Sequence, residues 1–530
     1  MAKPCEVIAY SFQQLIELFS VTSGAQICEV EAKLHSVYFQ EYFNFIGAQT
    51  IVVEHEYVDH DYLEDYAEYY VRCFKDYRRK CRRLHFFKIA FSGAEFENCL
   101  LKNPDSITSD LLQENYLGFI VLKPLPRTII GRTCLITYPT ENRRYFPATR
   151  SYSANLFGLN LKVPNSLAFQ EQDSVVAACA TSALWSIFQA TGQIFQHPIP
   201  SPSAITKNAT EILTKDQRAF PSPGLTSIEM AHAIKSVGLE PYLVNAADHY
   251  LLKATLYSYL RAGIPMMFGF YLVDVSGALP SVIGKHAVAI TGYSQGLTEA
   301  SPFQGSGFKL RATRIDKIYV HDDQVGPFSR MVFDTQTIEL PGEAAKDSIL
   351  TSWRGDDGVI GGKRAISDIL LIPVYHKIRI PFGRIHDLIY EFDYLLKNLV
   401  SSIFPDDVEN SRQLEWDIYL ISVNDLKADI RHLDHLTDQI RTDVLFKSFP
   451  RFLWRASLFS ESNLLLDLIF DATDLEQGAF FIQAVEYDSQ LSETLRTLCG
   501  LEGIENYCRQ SQAWAVFDWF RSNAGTPSAT

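Results

Sequence analysis

Along residues 170–192, QEQDSVVAACATSALWSIFQATG, a polar approach gives way to apolar residues at helical spacing. Ala180, Ala183, Leu184, Ile187 and Phe188 share one face, which predicts a helix with Cys179 in its first turn and Gly192 as its C-cap. Two later runs have strand character. KHAVAITGY at 285–293 predicts a buried strand with His286 at its start, and RIDKIYVHDDQVG at 314–326 predicts another that stops in a turn at Asp322 and Asp323.

The remaining pattern extends this picture in both directions. Residues 5–20 and 29–46 carry helical periodicity, and 50–60 opens as a strand. Residues 61–83 read as one long helix, acidic then basic, a polarity that suits the macrodipole. Its basic end, Arg78, Arg79, Lys80, Arg82 and Arg83, is expected to be a solvated helix terminus. Residues 116–126 form a strand, with 127–139 as its continuation or partner, and 140–158 a connector. The Pro- and Ser-rich stretch 197–224 reads as a long loop, either one wall of a substrate groove or a surface excursion. Helices are expected at 226–238 and 248–263, a core strand at 264–273, a hairpin loop at 294–313, a polar linker at 340–364 and one or two strands at 365–380. Beyond them, helices at 382–401, 424–446 and 480–500 alternate with strands near 416–423 and 450–459. The apolar runs at 116–126 and 365–378 are alike, and both need burial on two faces, so they are expected in one sheet.

Composition narrows the class. With 530 residues, 47% hydrophobic and 21% charged, the chain has the profile of a globular protein of several domains. A formal charge of −14 argues against nucleic acid or an anionic membrane as a partner. Nine scattered cysteines without a CxxC are neither a disulfide framework nor a zinc ribbon, which points to a reducing, cytoplasmic setting. MAKPCEVIAYSFQQLIELFSV reads as neither signal peptide nor lipidation site, and no apolar run has membrane-spanning length.

No cofactor or metal is expected. Gly361-Gly362-Lys363 fails as a phosphate loop, because Asp357 stands where its first glycine is needed and Arg364 replaces the hydroxyl. His432 with His435, and His55 with His60, lack a third ligand.

A cysteine at a helix N-terminus lies in a field that favours thiolate. A histidine that takes its proton, and an acid that fixes the imidazole tautomer, complete a thiol catalyst. Cys179, His286 and an acid, Asp322 or Asp323, stand in that order, and Gln172, seven residues before the cysteine, can offer an amide to an oxyanion. Gln170 competes for that role.

These residues, with GLTSIEMAHAIKSVGLEPYLV at 224–244 and LRAGIPMMFGF at 260–270, resemble the papain-like cysteine peptidase superfamily. The likeness is nearest to the branch of bacteriocin leader peptidases that cut after a double glycine, and it covers roughly residues 160–340. In such proteins the acid commonly stands four residues before the glycine, here Gly326, so the resemblance implies Asp322 rather than Asp323. The chain departs from the pattern in having Ala178 and Ala180 where a glycine is usual, Gln172 one place further upstream, and Asp323 where proline is frequent.

The resemblance implies a papain-like cysteine peptidase core at 159–340; the patterns outside it add mixed α/β regions at 1–158 and 341–530, expected through their apolar runs to share a sheet, for an α+β chain. It implies a cysteine peptidase or related amide hydrolase acting on a protein or peptide, with a regulatory protein partner as a further expectation. A papain-like acyl transferase, or a recognition protein with a silent centre, has the same sequence features.

Overall fold

The computed structural model describes residues 4–103, 106–173, 175–211, 224–355, 358–403, 414–433, 436–474 and 480–523. Helices and antiparallel sheets together make the chain α+β. It divides into two compact units: Met1–Asp248 with Gly263–Ser294 and Asp316–Val374, and His249–Ala262 with Gln295–Ile315 and Tyr375–Thr530. The expected region 1–158 falls wholly in the first unit, whereas 159–340 and 341–530 are each shared between the two.

In the first unit, β1 (Cys5–Ala9), β2 (Thr50–Tyr57), β3 (Cys81–Phe87), β4 (Tyr116–Leu122) and β5 (Ile130–Leu135) form an antiparallel sheet in that order. The helices Phe12–Ser23 and Leu34–Ile46 contribute Leu15, Phe19, Phe39 and Phe43 to the core it shares with Ile51, Leu84, Phe86 and Ile120. Each such side chain taken from water contributes about 1.5–3 kcal/mol. The core continues through Leu167 and Phe169 to Tyr319 and Phe328, so residues far apart in sequence share one interior.

After the two-residue β6 (Arg144–Tyr145), β7 (Arg150–Leu156) and β8 (Leu159–Ser166) make a hairpin. A second sheet follows, from β9 (Leu239–Asn245), β10 (Met266–Asp274), β11 (Ser281–Gln295), β12 (Ile315–Asp322), β13 (Gly326–Ile338), β14 (Lys346–Leu350) and β15 (Lys363–Tyr375). Because β10 pairs with both β11 and β15, the six strands β10–β15 close on themselves. The second unit holds an antiparallel sheet of β16 (Leu414–Ser422), β17 (Phe452–Ser460), β18 (Asn463–Asp471) and β19 (Phe481–Glu486), with the helix Phe382–Ile403 among its elements.

Several expectations are corrected. The run 116–126 does not share a sheet with 365–378, since β4 lies in the first sheet and β15 in the second. The long helix at 61–83 is a helix His60–Glu68, a short 3-10 turn and then β3, whose Arg83 is buried and paired with Glu54 at 2.8 Å. Cys81–Phe87 pairs with β2 on one side and β4 on the other, and that tertiary demand outweighed local helical periodicity. Residues 5–9 are β1 rather than the start of a helix, and 480–500 is β19 followed by the helix Ser489–Gly500. The polar linker 340–364 contains β14, and the loop at 197–224 contains the helix Pro202–Ala209, with 212–223 outside the described residues.

Candidate functional site

The approach to Cys179 is built against β5. Phe169 exchanges backbone hydrogen bonds with Thr133 at 2.8 and 2.9 Å, and Glu171 N donates to the Ile130 carbonyl at 3.0 Å. The buried Glu171 carboxylate accepts from the amides of Ile129 and Ile130 and pairs with Lys33. Asp173 then makes the corner. Its Oδ1 accepts from Val175 N at 3.0 Å and its Oδ2 from the Tyr70 hydroxyl at 2.6 Å.

The helix Cys179–Phe195 starts directly after that corner, with Ala178 as an extended N-cap. Cys179 is therefore the first helical residue, half-buried, with its backbone N–H in the group that has no intrahelical acceptor. The helix runs past Gly192, which is not the C-cap; Gln196 is, in the left-handed conformation. A Cβ at Gly192 would meet Ile199 Cγ1 at 2.7 Å, so the glycine serves a close approach within the helix.

His286 sits on β11 opposite Phe270 of β10. Its ring lies between Phe270 and Trp353, edge-on to both, with centroids at 5.5 and 5.4 Å. Nε2 is 3.0 Å from Asp322 Oδ1 and 3.7 Å from Asp323 Oδ1. The Cys179 side chain comes close enough to the same imidazole to help raise its pKa. With Nε2 given to the carboxylates, Nδ1 is the nitrogen left for the thiol.

The acids are held by the β12–β13 turn. Asp322 Oδ1 accepts from Gln324 N at 3.1 Å, and Oδ2 accepts from Trp353 Nε1 at 2.7 Å. Gln324 Nε2 bridges Asp323 Oδ2 at 3.1 Å and Gln172 Oε1 at 3.5 Å. Gln172 is thus placed beside the acid turn with its carbonyl engaged, which leaves its amide group as the donor. Gln170 is buried, and its Nε2 has no hydrogen-bond partner among the described residues. From the other side, His35 Nε2 meets the Asp323 carbonyl at 2.9 Å. At Gly326, with φ +157°, a Cβ would lie 2.2 Å from the Tyr38 ring.

Charge follows geometry. Burial alone would lower the His286 pKa, but the Asp322 carboxylate, its hydrogen bond, the Cys179 side chain and Asp323 together hold it well above the ordinary value. Burial acts against ionised Asp322, yet the His286 charge and hydrogen bonds from His286, Trp353 and Gln324 bring its pKa below the usual range. Asp323 is raised to about 6, chiefly by burial, with the Asp322 charge adding to it against the pull of His286. The arrangement sets an imidazole that favours the charged form between the Cys179 sulfur and two carboxylates, one held ionised and one raised to about 6.

The structure therefore brings Cys179, His286 and Asp322 together, with Gln172 at the rim. Sequence reasoning passed over Trp353, Asp173, Tyr70 and Gln324. A single tryptophan in an otherwise polar stretch was the available signal for the first of these. Of the remaining histidine pairs, His60 is exposed beside Asp61 and Glu64, and His435 lies outside the described residues. Among the described residues no helix is long and apolar enough to cross a membrane. No family model matches the chain, and no curated protein matches its sequence.

Proposed function

We propose that the chain is a cysteine-dependent amide hydrolase of papain-like type that acts on a protein or peptide. The observation that carries this reading is the buried His286, bonded through Nε2 to Asp322 and in contact with the side chain of Cys179 at a helix N-terminus.

In the proposed reaction, His286 Nδ1 takes the Cys179 proton and Asp322 holds the resulting imidazolium. The Cys179 sulfur bonds to the carbonyl carbon of the scissile amide, and the oxyanion meets the Cys179 backbone N–H and the Gln172 side-chain amide. Collapse of the adduct breaks the C–N bond, and the imidazolium gives its proton to the leaving amine. Water, deprotonated by His286, then cleaves the thioester and regenerates the thiol. An amine in place of that water would give acyl transfer from the same intermediate.

The test is a proteome-wide comparison of new N-termini in cells making the wild type or Cys179→Ala. Termini that appear only with the wild type, and vanish equally with His286→Ala, support hydrolysis. Identical terminus profiles in all three contradict it.

A further inference from the structure

A thiol triad needs one acid, and here two buried carboxylates face one imidazole nitrogen. Asp322 Oδ1 and Asp323 Oδ1 lie 3.0 and 3.7 Å from His286 Nε2, and one donor atom from each of the three residues lies within 4.8 Å of the others. Asp323 is only 3% exposed, and its Oδ1 has no hydrogen-bond partner among the described residues. Both carboxylates are fixed from behind, Asp322 Oδ2 by Trp353 Nε1 at 2.7 Å and Asp323 Oδ2 by Gln324 Nε2 at 3.1 Å. Outer hydrogen bonds of this kind orient the ligands of metal sites.

We propose that His286, Asp322 and Asp323 bind a divalent transition-metal cation of the Zn2+ class, and that the bound ion silences the thiol centre. The second clause rests on the function proposed above; the first does not. Tetrahedral zinc with bonds of about 2.0–2.1 Å sets its donors roughly 3.3 Å apart, so Asp323 must move in towards Nε2 and Asp322 slightly out from it. One imidazole nitrogen and two carboxylate oxygens suit such an ion, and water takes the open position.

Binding exchanges the Nε2 proton for the metal, which leaves the neutral ring protonated at Nδ1. That nitrogen then cannot accept the thiol proton, nor give its own to a leaving amine without becoming imidazolate. The ion therefore acts on the face of the ring away from Cys179 and needs no sulfur ligand.

The experiment is competition for Zn2+ between the full-length protein and a chromogenic chelator, with Asp323→Ala, Asp323→Asn, His286→Gln and Cys179→Ala beside the wild type. The expected result is one ion per chain, with affinity lost in His286→Gln, reduced about tenfold or more in Asp323→Ala, and kept in Cys179→Ala. Thermal melts show whether each variant is folded; if Asp323→Ala is not, Asp323→Asn provides the comparison through its weaker carbonyl donor. Absence of one-to-one binding overturns the proposal, as does binding that needs Cys179 but tolerates loss of the Asp323 carboxylate. Because chelator competition requires no turnover, an inert thiol would remove the proposed hydrolase without removing the metal site.

Discussion

Trp353 Nε1 donates to Asp322 Oδ2 at 2.7 Å, so an indole from the stretch between β14 and β15 fixes the acid of the site. The same ring packs edge-on against His286. Trp353→Phe keeps most of that packing and deletes the donor. Loss of a hydrogen bond to a charged acceptor is expected to cost about 1.5–3 kcal/mol, discounted because Trp353 is half-buried. Urea unfolding of the two proteins measures this, and a variant of unchanged stability would separate Trp353 from the acid.

Stability should depend on pH through the same groups, with opposite signs. Asp322 has a lowered folded pKa, so its contribution is present above about pH 3.9 and fades as pH falls through the folded value. His286 has a raised folded pKa, so its contribution is complete below about pH 6.5 and fades as pH rises through the folded value. The penalty of His286→Gln relative to wild type is therefore expected to be largest between about pH 4 and 6.5. Thermal melts across pH 3–9 test this, and a penalty independent of pH would remove the ion pair.

Asp323 runs the other way. Its folded pKa is raised from 3.8 to about 6, so the folded state loses stability as pH climbs through that interval. Asp323→Asn is expected to gain in Tm over wild type on passing from pH 4 to pH 8. A constant difference between the two would mean that this carboxylate is not held in a buried site.

Gly326 ends the acid turn against the Tyr38 ring, where a Cβ would come within 2.2 Å. Gly326→Ala is expected to destabilise by about 1–3 kcal/mol through overpacking. It should also slow reaction at Cys179, because the turn carries Asp322. Denaturant melts and thiol labelling read the two effects separately, and a silent substitution would show that the turn is slack.

How much of this was legible in the sequence differs by level. The helix at Cys179 and the strands carrying His286 and Asp322 have strong local periodicity, and their bounds came within a few residues of those observed. Elements whose identity rests on distant partners were harder. β3 looked helical because Cys81–Phe87 is a strand only in company with β2 and β4. β14 was hidden in a polar stretch because it is only five residues long and is a strand only between β13 and β15. At the site, the side chains proposed to react were readable from residue type and order. Those that hold them, Trp353, Asp173 and His35, were not, since hydrogen bonds across 31, 103 and 288 residues leave no local pattern.

The central claim is that His286 activates Cys179. The most direct measurement is the alkylation rate of each of the nine cysteines in the native protein at pH 6, resolved by peptide mass spectrometry. The account predicts that Cys179 reacts fastest, ahead of the exposed Cys28, and that a folded His286→Ala variant loses this advantage by about tenfold or more. Cys179 reacting no faster than Cys28, with the same rate in wild type and His286→Ala, would contradict it.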